Sequence, residues 1–254
     1  MGPKGPLEGV PDQERNWENW RYARRYGELL RARAQGKHPE MEYCKFLRQL
    51  VAADYRRGDA VLEIGSGAGH IYASLRREFP GLDYTGIDIT PSYVEMANEF
   101  FGQEPNARFL LGDLYQPNFP GARYDLVICY NVLLHLPDYR LPLTHLLGLT
   151  GHVLFIRTSL AETTAIRRDH RSTRVMDPGY EGRTSFYNTY AVGEFTDFIH
   201  AHGKWGVDVL EEEFDLSVLT TEENDYTTYV KDGRQYFRGV PCNWKIVRVR
   251  AEGR

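Results

Sequence analysis

Residues 61–69 read Val-Leu-Glu-Ile-Gly-Ser-Gly-Ala-Gly, and this stretch limits the fold more than any other. Four mostly apolar residues lead into glycines at 65, 67 and 69. Glycine loses more backbone freedom on folding than any other residue. Three in five positions therefore mark a backbone that turns sharply and comes close to something. A short apolar run before such a turn reads as a buried strand. A Gly-rich turn between strand and helix, at the carboxyl end of a parallel sheet, is where doubly wound folds bind nucleotides. Gly65 permits the tight turn, Gly67 lets backbone approach a ligand, and Gly69 relieves crowding where helix meets strand.

The chain around this turn supports a parallel sheet. Short apolar runs alternate with helical ones: 60–64, 72–79, 84–89, 93–101, 107–111, 124–130, 140–147 and 152–157. Strand–helix alternation of this kind argues for a sheet covered on both faces. The segment GDLYQPNFPGAR holds two prolines and reads as a loop, so one crossover helix is missing or very short. Ahead of the sheet, residues 1–13 read as a disordered lead. Two helical runs follow, about 16–33 and 39–56, and form an N-terminal helical lid over 14–57, with Gly58 as a stop signal. The glycine turn and the runs around it fall in a second unit, 58–254, with a polar, arginine-rich insertion at about 158–192. Residues 194–202 read as a helix, and 207–212 and 244–250 as strands.

Composition narrows the class. The 254 residues are 42% hydrophobic with a formal net charge of −4, enough for a core and too mild to point to nucleic acid. Cys44, Cys129 and Cys242 are far apart and form no CxxC pair, which argues against a zinc site or disulfide framework and fits a reducing cytosol. MGPKGPLEGVPDQE has no apolar signal core, and no run approaches a membrane span. The expectation is a cytoplasmic protein with no membrane partner.

The dinucleotide pattern G-x-G-x-x-G fails, because the sixth residue from Gly65 is His70. The next acid fits better. Asp88 ends the strand TGID, 88 − 65 = 23 residues after the first glycine, where a carboxylate accepts both hydroxyls of a ribose. Its other reading is a cap for the helix starting at Pro91. Asp113 in GDL would accept from an adenine amino group while Leu114 offers its amide; an ordinary Asx turn is the alternative.

Together these residues resemble the class I S-adenosylmethionine-dependent methyltransferase family. VLEIGSGAG matches its glycine motif, YTGIDIT its ribose motif, FLLGDL its adenine motif, and YDLVICYNVLLHLPD its fourth strand and following loop. The resemblance covers roughly 59 to 160. It implies a Rossmann-like, doubly wound, seven-stranded α/β sheet with the last strand antiparallel, 205–251 supplying the closing hairpin. It implies S-adenosylmethionine as cofactor. Gly65, Ser66, Gly67 and Gly69 would hold its methionine part, with Glu63 orienting the loop. Asp88 and Ile89 would hold ribose and adenine, Asp113 and Leu114 the adenine edge, and Asn131 the methionine end. One departure is Leu-Thr-Gly-His before the fifth strand, where many relatives carry Lys-Pro-Gly-Gly.

Methyl transfer from a sulfonium asks mainly for proximity and alignment, so the sequence need not announce a catalytic residue. His135 in NVLLHLPD is the candidate base, a neutral imidazole being suited to proton removal near pH 7. A histidine that merely closes the cofactor pocket is the competing reading. Asp125, Asn131 and Asp138 make no paired-carboxylate cluster, so no metal is expected. Asn131 is followed by Val-Leu-Leu, not Pro-Pro, which argues against an adenine-N6 DNA enzyme. NWENWRYARRYGELL and the insertion, with Arg167, Arg168, Arg171, Arg174 and Arg183, followed by the region around TTEENDYTTYVKDGRQYFRG, would build the acceptor pocket. Their Arg, Tyr, Asp and Thr content predicts a polar small-molecule acceptor, such as a sugar, amino acid or acidic metabolite, methylated on O or N. A protein or RNA methyltransferase, a non-catalytic cofactor-binding protein and an aminopropyl transferase are the alternatives. Whether the lid closes in cis or across a homodimer is left open.

Overall fold

The computed structural model describes residues 16–121, 123–169, 176–180, 183–212, 216–221, 228–237 and 239–252. The expected lead at 1–13 lies outside the described residues, as do Arg171 and Arg174. The chain opens with a 3-10 helix, Asn16–Tyr22, followed by α1 (Arg24–Ala34) and α2 (Glu42–Asp54). Then come β1 (Ala60–Ile64), α3 (His70–Leu75), β2 (Asp83–Asp88), α4 (Pro91–Phe101), β3 (Ala107–Leu111) and β4 (Tyr124–Tyr130). α5 (Arg140–Leu149) leads directly into β5 (Thr150–Ala161). Three two-residue strands follow: β6 (Arg168–Asp169), β7 (Ser185–Phe186) and β8 (Tyr190–Ala191). α6 (Val192–Ala201), β9 (Trp205–Glu211), β10 (Tyr229–Lys231), β11 (Arg234–Phe237), β12 (Val240–Pro241) and β13 (Trp244–Ala251) complete it.

The main sheet runs β3-β2-β1-β4-β5-β13-β9, with β8 adding a short parallel pair to β5. Strands β1 to β5 pair in parallel, whereas β13 is antiparallel to both β5 and β9. This is the expected seven-stranded sheet with its closing hairpin. Strand alternation divides the core into two layers. Leu62, Ile64, Val127, Cys129, Leu154 and Ile156 face α5 and α6. Val61, Leu126, Ile128, Val153 and Phe155 face α2, α3 and α4. The chain runs outward from β1 through β2 and β3, then returns to β4 on β1's other side. That reversal opens a crevice at the carboxyl ends of β1 and β4.

Two expectations need correction. The helical run expected over 16–33 is broken at Ala23, which leaves helical geometry (φ −110°, ψ 49°). The break has a cause far along the chain: Asp177 N–H donates to Tyr22 O (2.6 Å), and Arg24 N–H donates to Asp177 Oδ2 (3.0 Å). The insertion expected to start at 158 starts later, because β5 continues to Ala161. Between β3 and β4 the described residues form no helix, as the two prolines require.

Candidate active site

Four strand ends converge on one cleft. Its lining includes Ile64, Gly65 and Gly67 after β1, Asp88 and Ile89 at β2, Gly112, Asp113 and Leu114 after β3, and Asn131 and His135 after β4. Gly65 and Gly67 both take left-handed backbone, φ +79° and +53°. A Cβ at Gly65 would collide with the Val132 side chain, and one at Gly67 would lie 2.8 Å from Leu30 of α1. The loop therefore needs glycine for conformation and for close approach.

The loop is held from below. Gly65 and Ser66 N–H both donate to Ile87 O (2.8 and 3.0 Å). Asp88 Oδ2 accepts from Gly67 N–H and Oδ1 from Thr90 N–H, each at 2.8 Å. The helix-entry reading of Asp88 is thus real, but each carboxylate oxygen can accept a second bond. Burial raises the Asp88 pKa, against the pull of these backbone donors. Asp113 makes an Asx turn, its Oδ1 accepting from Tyr115 N–H (2.8 Å), while still lining the cleft.

Glu63, Ser66 and Gly69 do not line the cleft; they sit behind its floor. Glu63 is fully buried, and burial with the Asp88 charge beside it holds its carboxyl well above the usual range. Among the described residues, neither Glu63 oxygen, nor Ser66 Oγ, nor His70 Nδ1 has a hydrogen-bond partner. Of these only His70 lines the cleft, so its Nδ1 is the unsatisfied buried atom that a hydrogen-bonding ligand there would reach. The residues present therefore fit a nucleoside with a polar tail.

α1 lies over this cleft. Leu30 packs against the glycine loop, Tyr93 OH donates to Ala23 O (3.0 Å), and Trp20, Tyr26 and Tyr43 close the rim. A second chamber opens beyond. Trp20, Tyr26, Tyr43, Asn131 and His135 line both, so these five residues form the wall between them. His135 Nδ1 bonds Phe186 O (2.9 Å), which can only accept; the nitrogen therefore donates, and the neutral ring keeps its lone pair on Nε2.

The second chamber draws on residues the sequence reading did not single out: Tyr43, Arg157, Tyr187, Phe237 and Trp244. Arg157 is buried within β5, level with the end of β4, and forks onto Glu212. Its guanidinium lies 3.9 Å from the Trp244 ring centre and 4.6 Å from that of Tyr43. It also fixes Asn131, whose φ is +59°: Arg157 Nη1 donates to Asn131 Oδ1 (2.5 Å), and Asn131 N–H donates to Arg157 O (2.9 Å). The signal for it was an arginine inside the apolar run HVLFIRTSL. By contrast, Arg167, Arg168 and Arg183 of the insertion line neither chamber; Arg183 packs over Tyr22 and Arg168 over Phe186. Among the described residues no three His, Cys, Asp or Glu side chains group as a metal site, and no helix is long and apolar enough to cross a membrane.

Comparison with known proteins points one way. Residues 61–146 match the family model described as a methyltransferase domain. The chain is 26% identical over 137 residues to a malonyl-[acyl-carrier protein] O-methyltransferase of Ilyobacter polytropus, which is 54% of this chain and 51% of that protein. It is 33% identical over 69 residues to a release factor glutamine methyltransferase of Koribacter versatilis, 27% of this chain and 25% of that protein. The chain thus spans about half or less of these curated relatives. A crystal structure of magnesium protoporphyrin IX methyltransferase from Synechocystis, with bound S-adenosylmethionine, shares the fold at a TM-score of 0.53 and 16% identity, covering 83% of this chain and 78% of that one.

Proposed function

Because this chain belongs to the class I S-adenosylmethionine-dependent methyltransferases, we propose that it transfers the methyl group of S-adenosylmethionine to an O or N atom of a small molecule held in the second chamber. The observation that carries this reading is the shared wall. A cofactor cleft and a separate chamber meet at Trp20, Tyr26, Tyr43, Asn131 and His135. A protein that only sensed the cofactor would need no second chamber opening onto it.

When bound, S-adenosylmethionine supplies a methyl group on a sulfonium, and its displacement asks for alignment and exclusion of water. Asp88 would take the ribose hydroxyls with its remaining lone pairs, Ile89 would flank the adenine, and Asp113 and Leu114 would hold its edge. The Gly65–Gly67 loop would face the methionine part. Glu63, Ser66 and Gly69 would support that loop from behind. Asn131 would present its amide N–H groups at the junction, because Arg157 already occupies its carbonyl. His135 Nε2 would take the acceptor's proton, its tautomer set by Phe186 O. The organisation that follows is a cover over 14–57 and a methyltransferase unit over 58–254, to which the insertion adds a second cover.

Calorimetric titration with S-adenosylmethionine and S-adenosylhomocysteine, beside an Asp88→Ala variant, tests the reading. Micromolar binding of both, weakened at least about tenfold in the variant by loss of charge-assisted bonds to the ribose, is expected. A folded protein that binds neither would overturn it.

A further inference from the structure

We propose that the acceptor is a flat aromatic molecule carrying an anionic group, its ring against a belt of aromatic side chains and its charge on Arg33. The proposal rests on the methyl-transfer reading and names the substrate class of that same site.

The belt is continuous. Tyr26 meets Trp20 with ring centres 5.5 Å apart, and Trp20 meets His135 at 5.0 Å, edge to face. His135 meets Tyr187 at 5.7 Å; Tyr187 stacks on Phe237 at 5.1 Å and meets Trp244 at 6.2 Å. All six line the chamber, and the belt runs from the junction with the cofactor cleft to the far wall. Rings at these spacings and tilts have the geometry that aromatic pairs prefer, so an aromatic guest extends a packing already present. Met41, Met176, Val218 and Leu219 fill the lining between rings with apolar surface. The polar groups there include the Tyr26, Tyr43 and Tyr187 hydroxyls and the side chains of His38, Asn131, Thr220, Thr228 and Gln235, and the Asn131 carbonyl is already engaged by Arg157.

Charge supplies the second half. Of the charged residues lining the chamber, Arg157 is neutralised by Glu212. Glu40 is paired with Arg48 (2.5 Å) and Arg77 (3.2 Å), and Glu42 with Lys45 (2.5 Å). The Arg33 guanidinium has no hydrogen-bond or ion-pair partner among the described residues, although the residue is only partly exposed and close enough to act on Tyr43 and His70. An unpaired guanidinium beside an aromatic belt calls for a planar anion, which it can hold through two parallel hydrogen bonds. A carboxylate at Arg33 and a ring lying along the belt would bring a ring hydroxyl or amino group toward His135.

The test uses the whole protein saturated with S-adenosylhomocysteine. Hydroxybenzoate, hydroxyphenylacetate and hydroxyphenylpropanoate are titrated calorimetrically, each beside its neutral amide, with a hexose as the polar control. At least one acid is expected to bind about tenfold more tightly than its amide. Arg33→Gln should bring that acid down to the amide's affinity, and Phe237→Leu should weaken acid and amide alike. Equal binding of acid and amide, binding of the hexose in place of the acids, or no binding of any acid to the loaded protein would overturn the assignment. So would an Arg33→Gln variant that loses S-adenosylhomocysteine affinity instead, since Arg33 would then serve the cofactor's own carboxylate. Failure of the unaltered protein to bind S-adenosylhomocysteine is a separate result: it removes the methyl-transfer reading, and the acceptor assignment with it.

Discussion

The two chambers are built in opposite ways. The cleft proposed for the cofactor is assembled from strand ends, each followed at once by the residue that lines it: Gly65 after β1, Asp88 on β2, Asp113 after β3, Asn131 after β4. The second chamber, proposed for the acceptor, is assembled from segments with no common periodicity. Trp20 and Tyr26 come from the N-terminal cover, Tyr43 from α2, Arg157 from β5, Tyr187 from the insertion, Phe237 from β11 and Trp244 from β13. One cleft is a consequence of sheet topology. The other is a consequence of which distant side chains the sheet happens to bring together.

That contrast breaks first if a glycine substitution is tolerated. Gly65→Ala places a Cβ against Val132 in a backbone that L residues rarely adopt. The expected outcome is loss of S-adenosylhomocysteine binding by more than about a hundredfold, and destabilisation of about 1–3 kcal/mol. Calorimetry and urea unfolding read these separately. A variant that bound normally would mean the loop does not approach the ligand.

The acceptor side has a different weak point. Arg157→Met leaves Glu212 buried without its partner, and unfolding in urea should show a loss of about 3–5 kcal/mol. Arg157→Met with Glu212→Leu removes both charges and should recover most of it. If the double variant stays as unstable as the single one, the pair's role is in holding Asn131 and Trp244 rather than in charge balance.

Protonation distinguishes the cleft floor from the rest. His70 lines the cleft and bonds Tyr43 OH (3.1 Å); burial, aided by Arg33, lowers its pKa from 6.5 to about 3. The folded state disfavours its protonation. Its contribution to stability is therefore complete above pH 6.5 and is lost as pH falls toward 3, with a slope of up to about 1.4 kcal/mol per pH unit. Glu63 works in the other direction. Its carboxyl is raised, so its contribution is complete below 4.5 and is lost as pH rises above that value. Denaturant unfolding across pH should show His70→Asn with a flatter acid limb and Glu63→Gln with a flatter limb on the neutral side. A His70→Asn profile parallel to that of the unaltered protein would show His70 to be solvated.

How much was legible follows from the same contrast. The glycine turn, Asp88 and Asp113 stand at the spacing that one strand and one helix impose, so short-range pattern reaches them. The break at Ala23 does not, because Asp177 causes it from 154 residues away. The aromatic belt is invisible for that reason too. Trp20 and Tyr26 fall in one segment read as part of the acceptor pocket and Tyr187 and Phe237 in two others, but nothing local says that their rings form one row. Arg157 is the intermediate case. An arginine in an apolar strand run must find a buried counter-charge, but the sequence does not name Glu212 as the partner.

The smallest expected effect separates the chambers most directly. Tyr187 lines the acceptor chamber alone, whereas Trp20 lines both. Tyr187→Leu removes a ring that meets Phe237, Trp244 and His135 but leaves the glycine loop, Asp88 and Asp113 untouched. S-adenosylhomocysteine affinity should then change by less than about twofold, well under the roughly 1.4 kcal/mol that a tenfold change would need. Trp20→Leu should weaken it severalfold, because the same truncation opens the rim of the cofactor cleft. If Tyr187→Leu costs the cofactor as much as Trp20→Leu does, the wall between the chambers is not where these five residues place it, and the two spaces act as one site.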